Sequence, residues 1–521
     1  MMAFRTLLNL FVAASLICTS HAITCATNCA CSQEEQKIKV KCSNVPSFPK
    51  FTDISTNITS LNLKGNNLST IAADNLAELP NLEYLFLDAN KITSIQNGTF
   101  SRNPELKKIC LDQNSLEEVS PGVFFNLESL DTIYLKKNKI SRLRSYAFYN
   151  MTSLHHIDMT GNGLKSIEAE AFYGVENLRR LTLTDNLLTS VPSETFKLIP
   201  NLKYLYIENN RISKLMNQTF SMLKNLTRLY LSHNKLSYIG DYVFKDVPIQ
   251  YLWMIDCGLA EIPSVLDSLY DITDLDISLN NFSVIPSAVF FNLEKLVFLR
   301  ISHIQGLTDV HADAFIGLDS LTSVHMTDCP NLKELPEKAF WKNQRLWSLD
   351  LRGNGLKSLP EYLAQWDKLR FVDVTDNNFT CDCGVEWIQK RIKRKDAWPS
   401  KQIENDMYHL NCTDKLGLEK IRNFDFKTLR CEQHTTSAPA KRILTGLVAA
   451  IIAVVVVLVV CLACGFRKKI MNKYRQFKYS RHKDEAPYTI AKYSDLDATE
   501  TRVTPNHVDV FRDEKDDEEL I

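Results

Sequence analysis

The 521-residue chain has no charge excess: 61 Lys and Arg stand against 61 Asp and Glu. Nucleic-acid-binding proteins carry a basic surplus, so that class of partner is excluded. The chain also lacks a glycine-rich phosphate loop, a nucleophile–base constellation and a metal-ligand cluster, so neither an enzyme nor a cofactor is expected. His155 and His156 are the nearest metal candidate, but neighbours on a strand face opposite sides and make a poor site. With 45% apolar and 23% charged residues, wholesale disorder is excluded as well. What is present is local: two long apolar runs and 14 unevenly placed cysteines.

The first apolar run lies in residues 1–22. Arg5 precedes an apolar stretch over 7–17, and Ser20, His21 and Ala22 place small residues at a cleavage position. This pattern predicts a secretory signal peptide. The second run, 443–466, has 24 uncharged residues; as a helix it reaches about 36 Å, enough to cross a bilayer. Eight Lys and Arg follow within 467–483, against Lys441 and Arg442 before the run. The positive side faces the cytoplasm. The expectation is therefore a single-pass type I protein of the plasma membrane, with its N-terminus outside and its C-terminus inside. Its outer part would lie in an oxidising compartment, where disulfides persist.

Self-comparison gives a period near 24. Residues 82–92 read LEYLFLDANKI and 130–140 read LDTIYLKKNKI. The template LxxLxLxxNxL starts at 58, 82, 106, 130, 154, 178, 202, 226, 249, 272, 296, 321, 346 and 369, which makes fourteen units. A phenylalanine recurs every 24 residues from Phe100 to Phe244. Alternation within LxL predicts one short strand per unit. Each unit has one apolar face that it cannot bury alone, so stacked neighbours must supply the core. The recurring asparagine, as at Asn90 and Asn138, is expected to serve backbone groups of adjacent turns. The pattern resembles the extracellular leucine-rich-repeat family over about residues 25–431. That resemblance implies an α/β-type repeat solenoid, a curved horseshoe with a concave parallel sheet.

Solenoid ends expose core and need covers. Cys25, Cys29, Cys31 and Cys42 precede the first unit; Cys381, Cys383, Cys412 and Cys431 follow the last. Both groups resemble the cysteine-rich caps of the same family, and that resemblance implies Cys25–Cys31, Cys29–Cys42, Cys381–Cys412 and Cys383–Cys431. Cys257 and Cys329 replace the ladder asparagine in two units. Three strand spacings, about 14 Å, separate them, so they are expected to be buried thiols rather than a disulfide. Cys110 would project from the concave face between Phe86 and Tyr134. The expected organisation is a signal peptide at 1–22, an N-terminal cap at 23–57, repeats at 58–378, a C-terminal cap at 379–432, a linker at 433–442, a membrane helix at 443–466 and a cytoplasmic tail at 467–521.

The x positions of each strand face outward. In units seven to nine they place Tyr204, Tyr206, Tyr230, Tyr251 and Trp253 together, beside Asp274, Asp276 and Arg300. Exposed Tyr and Trp favour protein interfaces, so these eight residues are the candidate ligand-binding site. N-x-S/T sequons occur at Asn57, Asn67, Asn97, Asn150, Asn217, Asn225, Asn281, Asn378 and Asn411. None falls on the strand positions, so the concave face would stay free of glycan. Lys390, Arg391, Lys393, Arg394 and Lys395 form a basic run in the C-terminal cap, a candidate for sulfated glycosaminoglycan such as heparan sulfate.

The tail is too short for a Toll-type signalling domain or a kinase. Its first part, 467–483, is basic and suits anionic lipid. Residues 484–521 carry four basic and twelve acidic residues and are expected to be disordered. Tyr493 with Leu496 resembles a tyrosine-based sorting signal for a clathrin adaptor. Leu520 and Ile521 resemble either an acidic dileucine signal or a C-terminal ligand for a PDZ domain. Three functional expectations follow. The first is a receptor or adhesion protein that binds a protein, or a second copy of itself, on the concave face. The second is an innate-immune recognition receptor or co-receptor without its own signalling domain. The third is a glycosaminoglycan-binding matrix tether.

Overall fold

A computed structural model describes residues 25–51, 57–394, 398–429 and 431. The signal peptide, linker, membrane helix and tail expected from the sequence lie outside these residues, as do Lys395, Tyr493, Leu496, Leu520 and Ile521. Among the described residues no helix is long and apolar enough to cross a membrane.

Each repeat contributes one strand to a long sheet, in which the strands join in sequence order; eight repeats add a second, two-residue strand, and these pair into four short parallel ladders. The first repeat strand is Ile58–Asn62 and the last is Phe371–Asp373. A hairpin of Cys29–Glu34 and Lys37–Cys42 extends the sheet to sixteen strands. The hairpin is antiparallel; its second strand runs parallel to Ile58–Asn62, and every later pairing is parallel. The register follows the template position for position: Tyr206 pairs with Tyr230 and Tyr230 with Trp253.

The return segments correct one expectation. They are turns, two-residue strands such as Thr70–Ile71 and Ser94–Ile95, and short 3₁₀ stretches such as Ser193–Leu198 and Ser264–Ser268, with one helical turn at Ala73–Leu76. A 24-residue unit that spends eleven on the strand and its flanks leaves too little chain for a return helix and two corners. Longer helices, Glu386–Ile392 and Lys401–Tyr408, occur in the C-terminal cap. The fold is a parallel-sheet solenoid, with less helix than the α/β label implied.

The core is one continuous column. Leu85, Ile109, Ile133 and their counterparts are fully buried. Phe100, Phe124, Phe148 and Phe172 stack at 5.7 to 6.0 Å between centroids. The spine resumes at Phe290, Phe315 and Phe340, a continuation that the 24-residue period misses because these units lengthen to 25.

The asparagine ladder works by sharing. Asn138 Oδ1 accepts from the Leu116 amide at 3.0 Å, and its Nδ2 donates to the carbonyls of Leu111 and Leu135 at 2.9 and 3.1 Å. Asn114 also donates to Leu111, and Asn162 to Leu135, so each carbonyl serves two units. Cys257 fills its ladder position with a thiol that donates to Leu231 and Ile255. The Leu236 amide, which an asparagine oxygen would otherwise hold, donates to the Cys257 carbonyl. Cys257 and Cys329 are both buried and unbridged, as expected. Burial pushes their thiols up to about 12 and about 11.

A second constraint leaves only a weak sequence signature, a bias towards Gly, Asp, Asn and His at one template position. The eighth residue of all fourteen units has a positive φ, and eleven of these residues are not glycine, among them Ala89, Lys137 and Leu279. There the chain leaves the strand, and its amide bonds the next unit, as Ala89 does to the Asp112 carbonyl at 2.8 Å. The left-handed conformation costs a non-glycine residue roughly 1–2 kcal/mol, and the inter-unit bonds offset it.

All four expected cap disulfides are formed. At the first end, Glu83 accepts from both Lys37 and Lys107 at 2.7 Å. These bonds hold its carboxyl below its ordinary value, with Lys107 contributing more than Lys37. At the other end Trp366, Trp387 and Trp398 pack with centroids 5.2 to 6.3 Å apart. The Trp387 indole donates to the Leu359 carbonyl, which ties the cap to the last repeats.

Candidate functional site

The parallel register turns template positions into columns. One column carries Tyr206, Tyr230, Trp253, Asp276 and Arg300 across five consecutive strands. The column beside it carries Arg180, Tyr204, Arg228, Tyr251 and Asp274. All eight sequence-derived candidates therefore share one patch of the sheet face.

The side chains are organised with respect to one another. Tyr206 and Tyr230 stack at 4.5 Å with rings 4° apart, and Trp253 meets Tyr230 edge-on at 4.8 Å. The Trp253 indole donates to Asp274 at 3.1 Å, and Arg300 donates to the same carboxylate oxygen at 2.8 Å. The Arg180 guanidinium lies 5.4 Å from the Tyr204 ring centre, and Arg228 lies 5.3 Å from Tyr204 and 4.5 Å from Tyr251. Arg180 and Arg228 escaped the sequence reading. Their signal was there, in the alternation Arg180, Tyr204, Arg228, Tyr251 at one template position, but only the aromatics were followed.

The expectation of freely exposed aromatics needs correction. Tyr230, Asp274 and Asp276 retain only 6 to 8% of their surface, and Tyr204, Tyr206, Tyr251, Trp253 and Arg300 are half-buried. The residues face outward but cover one another, because a strand spacing of about 4.8 Å brings large side chains into van der Waals contact. Burial pushes the Tyr230 hydroxyl up to about 12 and raises the Tyr206 hydroxyl. It also raises the Asp276 carboxyl, against the hydrogen bonds from Ser278.

A smaller cluster lies nearer the first cap. Lys108 sits 4.9 Å from the Tyr134 ring centre and 6.0 Å from that of Phe86. Cys110 lies between Phe86 and Tyr134 in the register, as expected. It shares their outward-facing column but is buried, at 6% exposure, and burial raises its thiol well above the ordinary range. Asp112 is raised to about 6, chiefly by burial. His156 packs edge-on against Tyr134 and is lowered to about 4, first by burial and then by Arg180. His155 instead binds Asp131 at 2.7 Å, so the two histidines have separate partners. Among the described residues no three His, Cys, Asp or Glu are grouped to hold a metal ion.

The basic run is largely spent on internal pairs. The helix ends at Ile392 with Lys393 as its C-terminal cap, whose amide still bonds the Gln389 carbonyl. Lys390 pairs with Glu386 at 3.0 Å, and Arg391 pairs with Asp367 and lies over Trp398. Lys393 donates to Gln389. The asparagines of all nine sequons are exposed.

Stacked 24-residue units, a shared asparagine ladder and one parallel strand per unit define a leucine-rich-repeat solenoid. Residues 141–266 and 263–382 match the BspA type leucine rich repeat region, and overlapping stretches across 56–164 match a second leucine rich repeat model. The chain belongs to the leucine-rich-repeat proteins. Over 126 residues it is 33% identical to the follicle-stimulating hormone receptor of Equus asinus, covering 23% of this chain and 18% of that one. It is 30% identical to keratocan of Gallus gallus over 137 residues, 26% of this chain and 37% of that one. Over 109 residues it is 29% identical to the NT-3 growth factor receptor of Gallus gallus, 21% of this chain and 13% of that one. The chain thus spans well under half the length of each of these relatives.

Proposed function

We propose that this is a non-catalytic cell-surface receptor or adhesion protein, anchored by 443–466, that binds a protein ligand on the face of its long sheet. The observation that carries the reading is the prearranged patch of Tyr206, Tyr230 and Trp253, flanked by Arg180 and Arg228. Large aromatics and arginines dominate binding energy at protein interfaces. Side chains already held by stacking lose little further entropy when a ligand arrives. Arg180 and Arg228 lie against rings and form none of the ion pairs found among the described residues, which suits a ligand carrying carboxylates. None of the nine sequons lies on this face, and two of the relatives named above are receptors.

The glycosaminoglycan tether is the weaker reading, because Lys390, Arg391 and Lys393 already have partners within the cap. The test is binding of an Fc-fused 23–440 fragment to a panel of cell surfaces, including cells expressing the full chain. Arg180→Glu/Arg228→Glu changes the patch without removing a packed ring, whereas Tyr206→Ala/Tyr230→Ala/Trp253→Ala removes the stack itself. Loss of binding in both variants supports the reading, and capture by self-expressing cells assigns it to homophilic adhesion. Undiminished binding by the charge-reversed variant, folded by circular dichroism, sinks the sheet-face site.

A further inference from the structure

A second aromatic cluster lies away from the sheet, on the turns that return the chain from one strand to the next. Phe125, Tyr146, Tyr149 and Tyr173 keep 57, 40, 48 and 47% of their surface. Tyr149 and Tyr173 are nearly parallel at 5.8 Å, and Tyr146 meets both edge-on at 5.9 and 5.7 Å. With Pro121 and Gly122 they line a shallow groove of about 510 Å³. A contiguous exposed apolar surface of this kind ordinarily has something covering it.

Two sequons frame the groove. Asn150 follows Tyr149 directly, and its amide donates to the Tyr173 carbonyl at 3.0 Å. A Cβ on Gly174 would stand 2.6 Å from the Asn150 backbone, so glycine there lets Asn150 come close beside Tyr173. At the other edge, a Cβ on Gly122 would lie 3.7 Å from the Asn97 side chain. The Asn97 side chain therefore lies alongside Gly122, which lines the groove together with Tyr146. Both asparagines are exposed.

We propose that the groove is a docking site for the chain's own N-linked glycan on Asn150, with the glycan on Asn97 closing the opposite edge. The inference rests on the reading that this part of the chain is secreted. The C–H bonds on one face of a pyranose are polarised positive by the neighbouring oxygens, and an aromatic ring presents a negative face to them. The attachment point is covalently adjacent to the rings, so docking is intramolecular and works at high effective concentration. Glycans on both asparagines would also stand in the way of a protein partner at this groove.

The test uses the full chain, produced in secreting eukaryotic cells and kept folded in detergent. Peptide-N-glycosidase is applied in heavy-oxygen water, and release is followed site by site by mass spectrometry. The Asn150 glycan should come off about tenfold more slowly than in Tyr149→Ser/Tyr173→Ser, the factor expected from about 1.4 kcal/mol of ring contact. Tyr149→Phe/Tyr173→Phe keeps the rings and should keep the protection, which separates ring stacking from a general loosening of the turn. Denaturation should abolish the difference. Equal release from the wild type and the Ser variant overturns the proposal, as does an unmodified Asn150 beside occupied sequons elsewhere. If no sequon is occupied, the secretory reading falls with it.

Discussion

The asparagine ladder predicts a specific pattern of energetic coupling. In Asn138→Ala the Leu116 amide loses its acceptor, whereas the Leu111 and Leu135 carbonyls each keep one donor, from Asn114 and Asn162. One stranded buried donor costs about 1–3 kcal/mol and each weakened carbonyl about half a hydrogen bond, so the expected loss is about 3 kcal/mol. Asn114→Ala should cost about the same, since it strands the Ile92 amide in the same way. In the double variant the Leu111 carbonyl loses both donors. Its full desolvation penalty then appears, and the pair should cost about 1 kcal/mol more than the sum of the singles. Asn66 and Asn138 share no carbonyl, so that pair should add within ~0.5 kcal/mol. Urea denaturation of residues 23–440, followed by circular dichroism and tryptophan fluorescence, measures the wild type and the five variants. Additivity in the adjacent pair, or equal coupling in the distant one, would refute the shared-carbonyl account.

Three further outcomes follow from other parts of the molecule. Asp112 sits above its unfolded value of 3.8, at about 6, so the folded state holds an extra proton between those values and stability falls as pH rises through them. Asp112→Asn keeps the acceptor for the Lys136 amide and should gain about 1 kcal/mol at pH 7, allowing for solvent screening, with the gain gone below about pH 4; a pH-independent difference in urea midpoint would be the contrary result. Leu279 adopts a φ of 58°, so Leu279→Gly should be neutral within ~0.5 kcal/mol, strain relief offsetting chain entropy, while Leu279→Val should cost about 1–2 kcal/mol in melting experiments. Cys381→Ala/Cys412→Ala opens the cap over Trp366, Trp387 and Trp398 and should cost about 2–5 kcal/mol; tryptophan emission should shift to the red at lower urea than the loss of strand signal, and coincident transitions would show that cap and repeats unfold as one.

What the sequence made legible was whatever repeats chemically. Leucine at the inward positions, asparagine at the ladder and cysteine at the caps recur as the same residue, because each does one job that few side chains can do. The left-handed residue is harder to read because the constraint is on the backbone: Gly, Asp, Asn and His fill most of these positions, but Ala89, Lys137 and Leu279 adopt the conformation too. The phenylalanine spine was half-read, because Phe315 and Phe340 shift by one residue when the unit lengthens. The eight sheet-face residues do lie side by side, but they are less exposed than alternation implies. Direction can be read from alternation, whereas burial of Tyr230 and Asp274 depends on what neighbouring strands place beside them.

Under the proposed reading, the patch would bind through what its own contacts leave unsatisfied. Asp274 already accepts from Trp253 and Arg300, and Asp276 is buried and bonded to Ser278, so the acidic residues are structural supports more than ligand contacts. The cations are different. Arg180 and Arg228 rest on ring faces, which hold a guanidinium by roughly 0.5–1 kcal/mol and leave its in-plane donors free. A ligand carboxylate meeting such a prepositioned fork gains a charge-assisted bidentate bond without first breaking an ion pair. Arg228→Lys keeps the charge but loses the fork and the flat stacking surface, so it should weaken binding almost as much as Arg228→Ala. If Arg228→Lys binds like wild type in the cell-surface assay, the arginines act only through long-range charge, and the specific contact must lie with the aromatics.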